Sequence, residues 1–293
     1  MRHTIENAYL TVAVDDHGAE LCSIWDRQNQ REVLWQADPA YWKRHAPILF
    51  PNVGKHYGGG FTYQGVKYPT GQHGFARDCD FILVDKTECS LTHRLTANEE
   101  TKKQYPFDFV LTVTHTLHGR DVTVSWTVDN AGSERMYFTI GGHPAFRVPV
   151  LPDTRQSEYT LRFQRDDLKY YLLDRDSGTA NTTQTYALPV QNGVCAIPED
   201  MFARDALVFD GQIEWAGIAM PDGTPFVSVS CPGFPNFGIW AAPNAPFVCL
   251  EPWDGRCDDT GFSGEISEKP GILSLDSGAQ YQKAYTITIH ESV

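Results

Sequence analysis

The stretch Asp121–Asn130, DVTVSWTVDN, alternates apolar and polar side chains along most of its length. Successive side chains of a β-strand point to opposite faces, so this pattern predicts a strand with one packed face and one polar face. The predicted packed face carries Val122, Val124, Trp126 and Val128. Residues 107–117, FDFVLTVTHTL, have a similar rhythm, and the turn signal at residues 118–121 separates the two stretches. The two stretches therefore predict neighbouring strands.

The rest of the chain repeats this alternation in short segments. Residues 9–15 and 20–26 predict a hairpin around a turn at residues 16–19. Further strands are predicted in the segments DFILVD, CSLTHRL, YTLRF, ALVFD, PFVSVS, FGIWA, FVCLEPW and AYTITIH. The only segment with a helical pattern is the short stretch of residues 198–206. Strands in close succession predict an all-β fold, a large antiparallel β-sandwich, and the lack of a composition break predicts a single domain over residues 1–293.

The composition excludes several classes of partner. The net charge is -13, from 24 Lys and Arg against 37 Asp and Glu. Nucleic acids and anionic membranes need a clustered excess of cations, so neither is expected as a partner, and a small neutral ligand fits better. The seven cysteines form no CxxC pair and predict reduced thiols in a cytoplasmic protein. Residues 1–10 lack the apolar run of a secretory signal, and no segment has the roughly 18 apolar residues of a membrane helix.

One histidine lies in an unusual setting. In residues 139–146, TIGGHPAF, His143 follows Gly141 and Gly142 and precedes Pro144. Glycines contribute no side chain, so another group can approach the backbone closely there. The histidine is either a functional group or an incidental member of a tight turn at a strand end.

A carboxylate and two further polar residues have comparable settings. If FVCLE forms a strand, Glu251 shares a face with Phe247 and Cys249, so its carboxylate is expected to be desolvated and its pKa raised. An ion pair with a nearby Lys or Arg is the alternative. His73, in QHGFAR, and Asp205, in FARDAL, also lie among glycine or apolar residues. A metal site built from His73, His143 and Glu251 is conceivable, but no short ligand spacing supports it.

Taken together, the motifs carry a family resemblance. In chain order they are PNVGK, GQHGFAR, GGHPAF, DALVF and LEPW. This set resembles the aldose 1-epimerase (galactose mutarotase) family, and within it the LacX-like branch, over nearly the whole chain. The resemblance implies a galactose mutarotase-like supersandwich with a carbohydrate cleft on one sheet. It also implies that His143 donates a proton to the sugar ring oxygen and that Glu251 removes the proton of the anomeric hydroxyl, with no cofactor and no metal.

The same resemblance implies roles for the substrate-binding residues. His73 would orient the ring-oxygen side of the sugar, Asp205 would bind a sugar hydroxyl, and Arg77 would lie near the cleft. The family usually has Gly-Arg where this chain has Gly54-Lys55, and an ammonium lacks the planar fork of a guanidinium. Arg44 is expected to compensate in part for Lys55. Three aromatic residues near these strands, Phe237, Trp240 and Trp253, either stack on a sugar or belong to the core.

The predicted function is therefore aldose 1-epimerase activity, the interconversion of the α and β anomers of a free hexose such as galactose or glucose. Three alternatives remain. The protein could be a sugar-binding protein without turnover, or a glycoside hydrolase using Asp205 and Glu251. It could also be a mutarotase for a hexose phosphate, which the lack of an evident arginine cluster disfavours. Both a monomer and a homodimer fit the sequence.

Overall fold

The computed structural model describes residues 1–291 and is built almost entirely of β-strands. The strands of the first half are β1 Arg2–Glu6, β2 Leu10–Asp15, β3 Glu20–Asp26, β4 Arg31–Glu32, β5 Ile48–Leu49, β6 Gly60–Tyr63, β7 Val66–Pro69, β8 Ile82–Lys86, β9 Ser90–Thr96, β10 Phe109–His118, β11 Asp121–Asn130, β12 Met136–Phe138 and β13 Ile140–Gly142. Those of the second half are β14 Ala145–Arg147, β15 Thr160–Phe163, β16 Lys169–Leu173, β17 Ala180–Ala187, β18 Val194–Ala196, β19 Leu207–Asp210, β20 Trp215–Ala219, β21 Pro225–Ser230, β22 Asn236–Trp240, β23 Phe247–Asp254, β24 Leu273–Leu275 and β25 Gln280–Ile289.

Helical structure is limited to short segments. One turn of α-helix, α1, spans Glu99–Lys102. Single 3₁₀ turns occupy Tyr57–Gly59, Ala76–Asp78, Gln156–Glu158 and Ile266–Glu268.

Two large antiparallel sheets organise the molecule. The nine-stranded sheet has the order β18-β15-β20-β21-β25-β11-β10-β9-β8. The eight-stranded sheet has the order β17-β16-β19-β22-β23-β13-β5, with β14 also paired to β23. A four-stranded sheet, β1-β2-β3-β4, and two two-stranded sheets, β6-β7 and β12-β24, complete the structure. Because neighbouring strands in each sheet run antiparallel, the predicted antiparallel all-β architecture is confirmed.

Strand β11 behaves as its sequence predicts. It pairs antiparallel with β10 from His118 opposite Asp121 to Phe109 opposite Asn130. Its side chains alternate strictly between buried and half-buried positions, and Trp126 is almost fully buried. The apolar face of β11 thus belongs to the core, while its threonines and serine face outward.

The two large sheets contact each other across the core. Gly142 of β13 lies so close to Tyr285 of β25 that a β-carbon there would be 2.7 Å from the phenolic oxygen. The Tyr285 ring also packs on Trp126, with centroids 5.4 Å apart. One cluster of buried apolar residues runs from Ile5 to Ile289. The single domain over residues 1–293 stays a prediction.

The helix predictions were wrong in two places. Residues 198–206 form successive turns, with backbone bonds from Met201 to Pro198, from Ala203 to Asp200 and from Asp205 to Phe202. Each bond spans three residues and the left-handed backbone of Asp205, with a φ of 81°, ends the series, so no helix propagates. The helix α1 was not predicted. It forms because the Asn98 side chain accepts hydrogen bonds from the first backbone N–H groups of this turn.

Candidate active site

The register of the eight-stranded sheet places His143 opposite Glu251. Gly141 pairs with Trp253 on one side of this position, and Ala145 pairs with Cys249 on the other. Both pairs belong to the same antiparallel register, in which position 143 lies opposite position 251. The two residues are 108 positions apart in the chain, so only the pairing of β13 and β14 with β23 makes them neighbours.

His143 and Glu251 line a cavity of about 430 Å³. His143 Nε2 lies 3.2 Å from Glu251 Oε2, and both side chains are buried. Within residues 1–291 that carboxylate oxygen has no hydrogen-bond partner, so the short contact is not aligned as a hydrogen bond. Two buried titratable groups therefore face each other with unused hydrogen-bonding capacity, an arrangement that a polar ligand can satisfy.

Burial changes the proton affinities of both groups. Loss of solvent, reinforced by the charge of Asp205, raises the pKa of Glu251 well above its ordinary value, as the sequence predicted. Loss of solvent, reinforced by Arg77 and Arg44, lowers the pKa of His143 to about 3. A charged imidazole is destabilised at this position because His143 is buried and lies near two guanidinium groups.

Aromatic rings enclose His143. The Trp42 indole stacks on the imidazole with centroids 4.8 Å apart, and Trp240 approaches it edge-on at 5.7 Å. Trp240 and Trp253 line the cavity, as does Trp42, which the sequence analysis missed. Its signal was the aromatic-rich irregular segment before Arg44. Phe237 is buried in the core and is not part of the cavity lining.

Glycines beside the site make room for protein side chains. A β-carbon on Gly141 would lie 2.6 Å from the Trp253 ring, and one on Gly238 would lie 2.5 Å from it. A β-carbon on Gly142 would meet Tyr285 instead. The groups that approach Gly141 and Gly142 are therefore protein side chains and not a ligand. These two glycines let the Trp253 indole and the Tyr285 ring pack against the strand.

His73 reaches the cavity from a loop and presents a defined tautomer. Its Nδ1 accepts the backbone N–H of Gly54 at 3.0 Å, while the backbone N–H of His73 donates to the Gly54 carbonyl at 2.8 Å. Burial, reinforced by His143, lowers the pKa of His73 well below its ordinary value. The neutral ring therefore carries its proton on Nε2, from which it can donate a hydrogen bond.

A group of cations lines the same cavity: Lys43, Arg44 and Arg77. The Arg44 guanidinium donates to the Arg77 carbonyl at 3.3 Å and to Asp78 at 2.7 Å, and Arg77 donates to the Gln72 carbonyl at 2.6 Å. Burial next to Arg44 lowers the pKa of Arg77 to about 10. The sequence shows no arginine cluster because Arg44 and Arg77 are 33 positions apart. Folding brings them together in the cavity lining, so the sequence argument against a phosphorylated sugar was misleading. The sequence analysis also missed Lys43.

The remaining two predicted site residues have different placements. Asp205 lines the cavity, and its carboxylate accepts the backbone N–H of Ala206 at 2.9 Å. Lys55 is exposed and does not line the cavity; its side chain lies over Gly178. It borders an adjoining groove that shares Gln72 with the cavity. The structure thus brings together six of the seven predicted site residues and leaves Lys55 beside them.

Among the described residues, one possible metal-ligating combination includes His143 and Glu251 of the cavity lining. The ligand atoms of His143, Cys249 and Glu251 all lie within 4.8 Å of one another. Burial raises the pKa of the Cys249 thiol well above its ordinary value, so the sulfur is protonated and is a poor ligand. The residues of the cavity are therefore better suited to proton transfer and hydrogen bonding than to metal binding.

Comparison with known proteins identifies the class. The family model of aldose 1-epimerases matches residues 1–186. The chain therefore belongs to the aldose 1-epimerase family.

Individual relatives cover almost the whole chain. The plasmid protein LacX of Lactococcus lactis subsp. lactis is 31% identical, with 97% of this chain and 98% of LacX aligned. A galactose mutarotase related enzyme from Lactobacillus acidophilus is 32% identical and superposes with a TM-score of 0.93 over 99% of this chain and 98% of its own. A protein of Escherichia coli K12 named "Putative glucose-6-phosphate 1-epimerase" is 25% identical, with 88% of this chain and 83% of that protein aligned.

In the described part of the chain, no helix has the length and apolar character needed to cross a bilayer. The cytoplasmic location stays a prediction.

Proposed function

We propose that the protein is an aldose 1-epimerase that interconverts the α and β anomers of a free hexose such as galactose or glucose. The observation that carries this proposal is the 3.2 Å contact between His143 Nε2 and Glu251 Oε2 in the cavity. The anomeric and ring oxygens of a pyranose are bonded to the same carbon. An acid and a base that serve these two oxygens must therefore lie side by side.

The reaction needs one proton donor and one proton acceptor. Glu251 takes the proton of the anomeric hydroxyl while His143 gives a proton to the ring oxygen, and the ring bond to the anomeric carbon breaks. Rotation about the first carbon-carbon bond and reversal of the transfers close the ring as the other anomer. Each residue ends in its starting protonation state, so the cycle consumes nothing.

The pair holds the correct number of protons for this step. A neutral His143 beside a protonated Glu251 has the same proton count as an imidazolium beside a carboxylate. The pKa shifts of the free protein favour the neutral form. A bound sugar supplies a hydroxyl donor to the carboxylate and a ring oxygen to the imidazolium, which stabilises the charged form that reacts.

The surrounding residues support sugar binding. Trp240 and Trp253 line the cavity, and we propose that they contact the apolar side of a pyranose. We propose that His73 donates from Nε2 toward the ring-oxygen side, and that Asp205 accepts from a sugar hydroxyl. Arg44 and Arg77 are proposed to donate to further oxygens, and Lys55 could contact only a sugar substituent that extends into the adjoining groove.

Polarimetry tests the proposal. Fresh α-galactose or α-glucose should lose its optical rotation faster with the protein than without it. His143→Asn and Glu251→Gln should each slow the catalysed rate about 10² to 10⁴-fold, the usual contribution of a general acid or base. The exposed residues His118 and Glu214 provide matched controls, because His118→Asn and Glu214→Gln should leave the rate unchanged.

Other outcomes select the alternatives. Calorimetric binding of a sugar without faster mutarotation would identify a sugar-binding protein. Release of reducing sugar from a glycoside would identify a glycoside hydrolase using Asp205 and Glu251. If the site variants mutarotate as fast as wild type, the catalytic assignment fails.

A second candidate substrate is a hexose phosphate. The observation that favours it is the group of cations Lys43, Arg44 and Arg77 in the cavity lining. Asp78 pairs with the two arginines, and Asp205 and Glu251 line the same cavity. A guanidinium group can donate two parallel hydrogen bonds to a phosphate, and the ammonium of Lys43 adds a positive charge on a flexible side chain. Comparing kcat/KM for glucose and glucose 6-phosphate in wild type and in Lys43→Gln decides the matter. A preference for the phosphate that this variant reduces would support the second candidate, and no preference would exclude it.

A further inference from the structure

A second cluster of metal-ligating side chains lies outside the cavity described above. It consists of His3 of β1, Asp16 directly after β2 and His93 of β9. His3 Nε2 lies 2.8 Å from Asp16 Oδ1, and His93 Nε2 lies 3.3 Å from the same oxygen. One ligand atom of each residue falls within 4.8 Å of the other two. The cluster joins the four-stranded sheet to the β8–β9 edge of the nine-stranded sheet.

His93 is the unusual member of the cluster. Its side chain is completely buried, yet within residues 1–291 neither of its ring nitrogens has a hydrogen-bond partner. A buried polar atom without a hydrogen-bond partner is destabilising, so such atoms are rare without a reason. Nε2 faces the carboxylate at a short distance without forming a hydrogen bond. A metal ion between the two atoms would use the lone pair that the protein leaves unsatisfied.

From these contacts we infer that His3, Asp16 and His93 form a zinc site that fastens strand β1 to strand β9. Tetrahedral zinc with bonds of about 2.0 to 2.1 Å holds its ligand atoms roughly 3.4 Å apart. The separations of 2.8 and 3.3 Å therefore need shifts of about 0.6 and 0.1 Å, and the ligand atoms of the two histidines, which lie within 4.8 Å of each other, must also adjust to this distance. Two imidazoles and one carboxylate suit zinc and its transition-metal neighbours, whereas magnesium and calcium prefer oxygen ligands alone.

The surroundings leave the site accessible. The side chains of His3 and Asp16 are 15% and 25% exposed, so an ion can enter from solvent and a water molecule can complete the coordination. The Met1 amino group lies 3.0 Å from Oδ2 of Asp16 and leaves Oδ1 for the metal. The neighbouring His17 is paired with Asp80 at 2.8 Å and is not needed as a ligand. The inference does not depend on the proposed epimerase activity.

Zinc titration of the full chain, without a polyhistidine tag and after treatment with a chelator, tests the site. Calorimetry should detect one zinc ion per chain, and zinc but not magnesium should raise the Tm, because a ligand that binds only the folded state stabilises it. His3→Gln removes one ligand from a half-buried position and should weaken zinc binding by roughly 100-fold or more. It should also abolish the rise in Tm, while the catalysed mutarotation rate stays unchanged.

Two controls separate this site from the cavity. His118→Gln, on the exposed end of β10, should bind zinc as wild type does. Cys249→Ser should also retain the zinc, and the cobalt-substituted protein should lack the thiolate-to-cobalt absorption that a Cys249 ligand would cause. The inference is overturned if wild type binds no zinc, if His3→Gln binds it equally well, or if Cys249→Ser loses it.

Discussion

His143 and Glu251 illustrate how one buried environment acts in opposite directions on an acid and a base. Removal of solvent disfavours every charged form, so it lowers the pKa of the imidazole and raises that of the carboxyl group. The two values belong to a coupled pair, and activity depends on how many protons the pair holds. One dissociable proton permits the proposed transfer, whereas two protons leave no base and none leaves no acid.

This coupling predicts a wide pH range of activity. As pH falls, kcat/KM should decline only when His143 becomes protonated, near pH 3, because Glu251 is already protonated there. As pH rises, the decline should follow loss of the Glu251 proton, well above the ordinary value of 4.5. The measurement is kcat/KM against pH after subtraction of spontaneous mutarotation. An acid limb centred near pH 6.5 would contradict the prediction.

Trp42 provides a way to move that acid limb. Trp42→Ala would remove the ring stacked on His143 and admit water, which favours the imidazolium and raises its pKa toward 6.5. The acid limb should then shift to higher pH, while Trp42→Phe, which keeps an aromatic face, should shift it less. Equal profiles for the two variants would show that Trp42 does not control the desolvation of His143.

Strands β13, β22 and β23 leave a narrow space that the Trp253 indole ring fills. Gly141 and Gly238 lie on the strands that flank β23, and both lack the β-carbon that would collide with Trp253. Trp253 in turn lines the cavity beside Glu251. The geometry of the cavity wall thus depends on glycines that are not themselves part of the lining.

We expect Gly141→Ala to damage the site without unfolding the protein. Its β-carbon would be 2.6 Å from the Trp253 ring, so the indole must move. Overpacking of this kind costs about 1 to 3 kcal/mol of stability, and kcat/KM should fall together with it. Gly71→Ala is the matched control, since a β-carbon there meets no atom within 4 Å. Unchanged activity in Gly141→Ala would mean that the position of Trp253 is irrelevant.

A buried ionic cluster connects three distant parts of the chain. Asp258 lies 3.1 Å from His56 Nδ1 and 3.2 Å from Lys269 Nζ, and all three side chains are nearly inaccessible to solvent. Asp258 also accepts the backbone N–H of Tyr57 at 2.8 Å. These contacts hold the loop before β6 and the segment before β24 against the end of β23, next to the cavity wall residue Cys257.

Asp258→Asn should therefore destabilise the protein strongly. It would leave the Lys269 ammonium buried without its counter-ion, which typically costs about 3 to 5 kcal/mol. Urea denaturation measures the change in the free energy of unfolding. Asp259→Asn is the control, because its ion pair with Arg256 is partly exposed and should contribute about 1 kcal/mol or less. A loss as small as that of the control would contradict the account.

The pH dependence of stability follows from the same carboxylate. Hydrogen bonding and charge attraction from His56, helped by Lys269, hold the pKa of folded Asp258 below its ordinary value of 3.8, despite the opposing effect of burial. Its contribution is therefore present above about pH 4 and is lost as pH falls through the folded pKa. As the pH falls below about 4, the free energy of unfolding of wild type should therefore decrease more steeply than that of Asp258→Asn.

The strands and the main site motifs were accessible from local sequence. The two-residue period of Asp121–Asn130 reports which side chains leave the solvent, because the pleat of a strand forces alternation. The motifs GGHPAF and LEPW, in their order with HGFAR, pointed to His143 and Glu251 as site candidates without any knowledge of their contact. Local pattern failed at residues 198–206, where the backbone of Asp205 interrupts a helix, and at α1, which depends on a single capping side chain.

What the amino-acid sequence determined by itself is the antiparallel β architecture, since alternation depends on nearest neighbours along the chain. The set of motifs, through its family resemblance, also pointed to His143 and Glu251 as the proposed acid and base. Only the tertiary structure showed that the pKa of His143 is lowered and that Trp42 lines the cavity. It also showed that Arg44 and Arg77 lie together in the lining, whereas Lys55 lies outside it. It also decided the meeting of His3, Asp16 and His93. Desolvation and ligand geometry arise from groups that strand pairing brings together over long distances in the chain, and no local pattern encodes them.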